Sequence, residues 1–249
     1  MSVSQKSKNN VFLAVAGAGK TTKIVTEVLN QKSAKRVAII TYTNKAVASI
    51  IEKFHEKNCG VIPSRVDVFT WYGFLYNECV LPYQRSMFSV AKMKGLTFEN
   101  HYGKVYTFPK TDIKRYVTKN GQLKAKQASE FVVECTTKDQ SLVKRISEIY
   151  EEVVIDEVQD LAGADLDLIE SFMNDQNIRV ILIGDSRQAT FSTHSSIRNK
   201  KFKGLNMLNY FQELKKSGLI ELIELNDCKR SNQEYVILLI KCSLNFLQQ

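Results

Sequence analysis

The chain has 249 residues, a formal net charge of +9, 44% hydrophobic and 24% charged residues. This composition excludes a disordered polypeptide, and no apolar run approaches the ~18 residues that a bilayer-crossing helix needs. The first ten residues carry no apolar signal core, so retention in the cytoplasm is expected, with no membrane partner.

Taken in chain order, an apolar strand over 11–15 leads into the small residues Ala16, Gly17, Ala18 and Gly19, then Lys20, Thr21 and Thr22, and a helix over 20–31. Small residues between a strand and a helix let backbone N–H groups close around phosphates, and the helix dipole adds positive potential there. These seven residues are the expected ATP-binding loop. Lys20 would neutralise phosphate charge, and the Thr21 hydroxyl would hold Mg²⁺.

Next come a strand over 36–41, a helix over 44–57, a strand over 66–70 and a helix over 71–78. The alternation resumes with a helix over 141–151, a strand over 152–156, a helix over 163–174, a strand over 179–184, a helix over 204–216, a strand over 219–225 and a helix over 231–247. Strands alternating with helices predict an α/β fold, a parallel sheet flanked by helices. Residues 1–80 and 141–249 would form this nucleotide-binding lobe, and 81–140 an inserted subdomain.

The strand over 152–156 ends in Asp156 and Glu157, the layout that delivers one carboxylate to a metal and a second to the attacking water. The strand over 179–184 ends in Asp185-Ser186-Arg187-Gln188, at the strand end where open α/β sheets place ligands. Gln188 is a candidate sensor of the γ-phosphate. The five cysteines show no metal-ligand spacing and read as reduced and structural; the three histidines are scattered and carry no assigned role.

The order and wording of these motifs resemble the UvrD/PcrA/Rep branch of superfamily 1 DNA helicases. Ala14 to Thr21 resembles motif I, Thr41-Tyr-Thr-Asn-Lys-Ala46 motif Ia, Val68-Phe-Thr-Trp-Tyr-Gly-Phe74 motif Ib, Asp156 to Asp160 motif II, Gly184 to Phe191 motif III and Asp227 to Asn232 motif IV. The resemblance implies a RecA-like, P-loop lobe hydrolysing ATP with Mg²⁺ and acting on single-stranded DNA. It carries over Asp156 as metal ligand, with Glu157, Gln188 and Arg230 as catalytic residues. Thr43, Asn44, Lys45, Thr70, Tyr72 and Phe191 fall on DNA-contacting positions. The departures are Tyr72 for the usual His, Phe191 for the usual Tyr, Lys229 for the adenine-stacking Tyr, and no adenine-reading Gln pattern before the loop. Motifs V and VI of a second RecA-like lobe do not appear in these residues; the expected partners are single-stranded DNA and either a second RecA-like lobe in trans or a nuclease subunit.

The segment 81–140 is different in kind. Between Leu81 and Lys126 lie ten Lys or Arg against two acids, with seven aromatics interleaved. Lys114 and Arg115 are candidate DNA contacts on such a basic, aromatic surface. The bland reading is a solvated basic hairpin whose aromatics form its own small core. Asn120-Gly121 signals a hairpin with a type I′ turn, and a small β-rich insertion is expected. The alternative function is a nucleotide-binding regulatory or anti-phage defence subunit, partner of an OLD-type nuclease, without autonomous helicase action. A small P-loop kinase would leave the Thr-Asn-Lys and Asp-Glu-Val-Gln-Asp segments unexplained.

Overall fold

The computed structural model describes residues 9–14, 19–31, 35–87, 93–99, 108–185, 199, 202 and 207–225, and every structural statement below concerns these. Six strands form one all-parallel sheet: β1 (Asn9–Ala14), β2 (Arg36–Thr41), β3 (Val66–Thr70), β6 (Tyr150–Ile155), β7 (Arg179–Gly184) and β8 (Ile220–Leu225), in the spatial order β3-β2-β6-β7-β1-β8. The inner strands are Val/Ile-rich because both their faces are covered.

Alternate residues partition cleanly between two cores. Phe12, Ile39, Val154 and Ile181 face one side with α1 (Lys20–Asn30) and α2 (Asn44–Lys57), through Ile24, Val28, Ile50 and Phe54. Leu13, Ile40, Ile155 and Leu182 face the other, with α5 (Ala128–Lys138), α6 (Ser141–Ile149), α7 (Ala164–Asn174) and α8 (Met207–Lys216). A strand's side-chain period of two produces this division. The α/β fold expected of a P-loop nucleotide-binding lobe is the one observed.

The differences from expectation are local. After β3 the chain forms α3 (Trp71–Phe74), which widens into a π-helical turn over Leu75–Val80, where a continuous helix was expected. Tyr150 leaves α6 and pairs with Arg36, starting β6 two residues early. In the inserted segment α4 (Gln84–Met87) and two strands, β4 (Leu96–Thr97) and β5 (Leu123–Lys124), are short, and the longest element is α5. The β content expected there is therefore confined, among the described residues, to four strand residues paired in parallel and one antiparallel bridge, Val117 to Leu123. A chain turn does occur at Asn120-Gly121, but Gly121 N–H bonds the Thr118 carbonyl, putting Lys119 and Asn120 at its centre. Only Gly121 takes positive φ, at 80°, so the type I′ geometry, which needs positive φ at both central residues, is not formed.

The described part of the segment shares its core with the sheet lobe. Tyr116, Leu123 and Phe131 belong to the same apolar cluster as Trp71 and Phe74. Tyr116 and Phe131 pack edge-on, their ring centroids 5.4 Å apart.

Candidate nucleotide-binding site and nucleic-acid face

Parallel strands in register bring their carboxyl ends to one edge of the sheet. Leu13 lies beside Gly184, Ile155 beside Leu182, Ile40 beside Ile155 and Thr41 beside Thr70. Because β7 sits between β1 and β6, the ends of these three strands form one contiguous ledge. This is the crevice in which open α/β sheets hold ligands.

At that ledge α1 begins with Gly19 at φ 68° and ψ 30°, a left-handed conformation glycine adopts without strain. No side chain among the described residues caps the helix and no acid lies in its first turn. An uncapped helix start is suited to a phosphate. Lys20 stands at the first helical position, its Nζ 3.9 Å from a Glu157 carboxylate oxygen. The first and second halves of the expected site, 137 residues apart in sequence, are thus neighbours in space.

Asp156 is 6% exposed, and its backbone N–H bonds the Ile40 carbonyl, extending the sheet by one rung. Burial, reinforced by the neighbouring Glu157 charge, pushes its carboxyl up to about 6, against the pull of Lys20 and of the Glu157 N–H, which donates to Asp156 Oδ1 at 3.0 Å. Glu157 has φ 58° and ψ 44°, a left-handed conformation that costs a residue bearing a β-carbon on the order of 1 kcal/mol. The turn aims its carboxylate back over the ledge toward Lys20, which a continuing strand would not do.

The residues fit Mg²⁺ and a nucleoside triphosphate. A hydroxyl at Thr21 and a carboxylate at Asp156 are the hard oxygen donors Mg²⁺ takes, while the bare helix start and Lys20 suit anionic oxygens. The Glu157 carboxylate lies at the same ledge, beside Lys20. Ala16, Gly17, Ala18, Gln188, Phe191 and Arg230, together with the helix expected over 231–247, lie outside the described residues.

Of the candidate DNA contacts, Thr43, Asn44, Lys45, Thr70 and Tyr72 lie at the same carboxyl edge, at or just beyond the ends of β2 and β3. Thr43 caps α2 by accepting from the Ala46 N–H at 3.1 Å, and Thr70 caps α3 by accepting from the Gly73 N–H at 3.1 Å. Both hydroxyls thus have a structural use. Asn44 and Lys45, beside Thr43, are exposed. The Tyr72 and Tyr42 hydroxyls lie 3.0 Å apart, and the Tyr72 ring packs edge-on against Phe98 with centroids separated by 5.3 Å. Phe98 itself is 65% exposed. An aromatic of the inserted segment therefore extends the aromatic surface begun by Tyr72.

Arg115 requires a correction. It is 8% exposed and its guanidinium donates to both carboxylate oxygens of Glu130, at 2.9 and 2.8 Å, and to the Phe108 carbonyl at 2.9 Å. A bidentate, buried pair of this kind holds α5 to the segment before it and leaves no fork for a phosphate. Lys124, counted in the basic excess, is likewise turned inward, donating to the carbonyls of Lys114 and Arg115. Lys114 remains exposed, as do Arg85, Lys94, Lys110, Lys119 and Lys126, with Lys110 paired to Glu134.

Two polar residues escaped the sequence reading. Asp165 accepts from the Trp71 indole N–H at 2.9 Å, from the Ser129 hydroxyl, and from the Ala162 N–H at 3.1 Å. Gln159 bonds Glu157 and the strand end at Asp185. Gln159 lies inside a recognisable motif; no local signal marks Asp165.

A family model described as an AAA domain matches residues 2–193, more than three quarters of the chain, from ahead of the phosphate loop to beyond β7. The chain belongs to this AAA domain family. The family match spans the segments that resemble motifs I to III, and the resemblance to the N-terminal lobe of UvrD-like superfamily 1 proteins stands with it. No curated protein matches the sequence. Among solved structures, one described as Pif1 helicases unwinding forked double-stranded DNA aligns with this AAA domain at a TM-score of 0.31 and 17% identity, covering 83% of this chain and 35% of that one. The chain therefore spans about a third of the length of that protein. Among the described residues no helix is long and apolar enough to cross a membrane.

Proposed function

We propose that the chain is the ATP-binding and hydrolysing lobe of a UvrD-like superfamily 1 motor acting on single-stranded DNA. The observation that carries this reading is the meeting of Lys20 with Glu157, beside buried Asp156, at the uncapped start of α1. Lys20 and the α1 N–H groups bind and orient the triphosphate. Thr21 and Asp156 would hold Mg²⁺, which when bound supplies charge neutralisation at the phosphates. Glu157 takes the proton of the attacking water as its oxygen closes on the γ-phosphorus, and the bond to the β-phosphate oxygen breaks.

In this reading residues 1–80 and 141–249 make up the lobe and 81–140 an insertion that borders the DNA. Thr43, Asn44, Lys45, Thr70 and Tyr72 line the strand-end face on which DNA would lie, with Phe98 and the exposed lysines of the insertion beside them. Gln188 and Arg230 would act at the γ-phosphate. A second RecA-like lobe would supply further arginines, contacts that can be worth on the order of 10³ to 10⁵ in rate.

The test is titration calorimetry with Mg-ATP, followed by steady-state hydrolysis with and without oligo-dT. Wild type is expected to bind ATP and hydrolyse it slowly, faster with DNA, and Lys20→Ala to lose ATP binding. Unchanged ATP affinity in Lys20→Ala would remove the phosphate-loop assignment.

A further inference from the structure

Gln159 lies two residues beyond Glu157 in a single turn of 3₁₀ helix (Val158–Asp160), and its side-chain amide spans two elements of the site. The Nε2 group donates to the Glu157 carboxylate, and Oε1 accepts from the backbone N–H of Asp185 at 3.3 Å. A carboxylate can only accept and a backbone N–H can only donate, so the two partners fix which end of the amide faces which. Both polar ends are used, one on the water-polarising carboxylate and one on the carboxyl end of β7.

Access to β7 depends on Gly184. A β-carbon at that position would lie 2.7 Å from Val158 Cγ1 and 3.1 Å from Gln159 Oε1, so only a residue without a side chain lets the turn close onto the strand. The missing side chain and the bridging amide are two parts of one arrangement.

Glu157 has a second partner, Lys20, at 3.9 Å. In the reading proposed above, on which this inference rests, Lys20 turns to the phosphates when nucleotide binds. The carboxylate then keeps its position only through Gln159, because its left-handed backbone supplies no other restraint among the described residues.

We infer that Gln159 is a positioning residue: it holds the Glu157 carboxylate against the end of β7 for attack on the γ-phosphate, acting in turnover and not in nucleotide binding. An amide is suited to this task. It donates a hydrogen bond without adding charge, so the carboxylate is oriented and remains free to accept a proton.

The experiment compares wild type, Gln159→Leu and the near-isosteric Gln159→Glu for Mg-ATP Kd by calorimetry, for kcat in the presence of oligo-dT, and for thermal midpoint. Leu removes both hydrogen bonds; Glu keeps an acceptor for the Asp185 N–H and loses the donor to Glu157. Both variants are expected to lower kcat on the order of 10- to 100-fold while Kd stays within about threefold. Because Glu preserves shape, its loss separates the donor's role from packing. A kcat equal to wild type in either variant overturns the inference, as does a Kd that weakens in step with kcat. A wild-type chain that hydrolyses no ATP overturns the ATPase reading itself, whereas an active wild type with unaffected variants overturns only the role of Gln159.

Discussion

The indole N–H of Trp71 donates to Asp165 Oδ1 at 2.9 Å, joining the helix that follows β3 to the start of α7. Asp165 also receives the Ser129 hydroxyl from α5 and the Ala162 N–H from the turn after the Asp156-Glu157 motif. One carboxylate thus connects the nucleotide ledge, the aromatic face beside Tyr72 and the inserted segment.

Asp165→Ala leaves the Trp71 indole N–H, on a residue 1% exposed, without this partner. An orphaned buried donor costs about 1–3 kcal/mol. The urea midpoint should fall accordingly, and the fluorescence of Trp71, the one tryptophan of the sequence, should shift in the native state. An unchanged spectrum and midpoint would mean that the indole is satisfied elsewhere.

Glu157→Gly and Glu157→Ala both remove the carboxylate proposed to polarise water, so both should bind Mg-ATP and turn it over negligibly. They should differ in stability. At φ 58° glycine avoids the steric cost alanine incurs, so the Gly variant should be more stable than the Ala variant by about 1 kcal/mol in urea unfolding. Equal stabilities would indicate that the turn relaxes once the carboxylate is gone.

Glu27 carries the pH dependence most open to measurement. Its Oε1 is buried without a hydrogen-bond partner, and burial, then the Glu152 charge, push its carboxyl up to about 8 despite nearby Arg179. Between the ordinary value of 4.5 and about 8 the native chain holds a proton that the unfolded chain has shed. Stability from this group is therefore complete below 4.5 and lost progressively as pH rises to about 8. Glu27→Gln should match wild type near the acidic end of this window and exceed it in urea midpoint at the alkaline end. A difference that does not grow with pH would contradict the assignment.

In the inserted segment, replacing Lys94, Lys114, Lys119 and Lys126 with Ala should weaken oligo-dT binding and reduce the magnitude of its salt slope by several units, with ATP affinity unchanged. Arg115→Ala should act differently. Removing one partner of its buried pair with Glu130 costs about 3–5 kcal/mol, so the variant should lose stability before any specific effect on DNA appears. Retention of the wild-type salt slope by the fourfold variant would place the DNA elsewhere.

The sheet was legible because its strands are short Val/Ile runs between turn residues; Arg36–Thr41, Val66–Thr70 and Arg179–Gly184 begin and end where expected. The meeting of Lys20 with Glu157 was legible for a related reason: both residues sit in contiguous motifs. Helix α5 was hidden because Ala128, Ser129, Phe131, Val132, Val133, Cys135 and Thr136 are all buried, leaving little polar stripe to mark a helical period. Arg115 and Lys124 read as surface charge because sequence gives no account of the partners that draw them inward, Glu130 and a pair of backbone carbonyls. Asp165 was illegible because its indole partner lies 94 residues away.

The strand order carries a consequence for how the protein is made. Among the described residues β1 pairs only with β7 and β8, so Asn10 meets Ile181 and Asn9 meets Ile220. β1 ends at Ala14 and β7 begins at Arg179, so β1 leaves the ribosome well before either of these neighbours exists. At about 5–20 residues per second, it waits roughly 10–35 s before β7 has even been translated. A nucleotide at the proposed site thus meets no complete ledge until β7 is made, and a ribosome stalled before Arg179 holds a β1 whose apolar residues and backbone groups, lacking those neighbours, are open to chaperones and proteases.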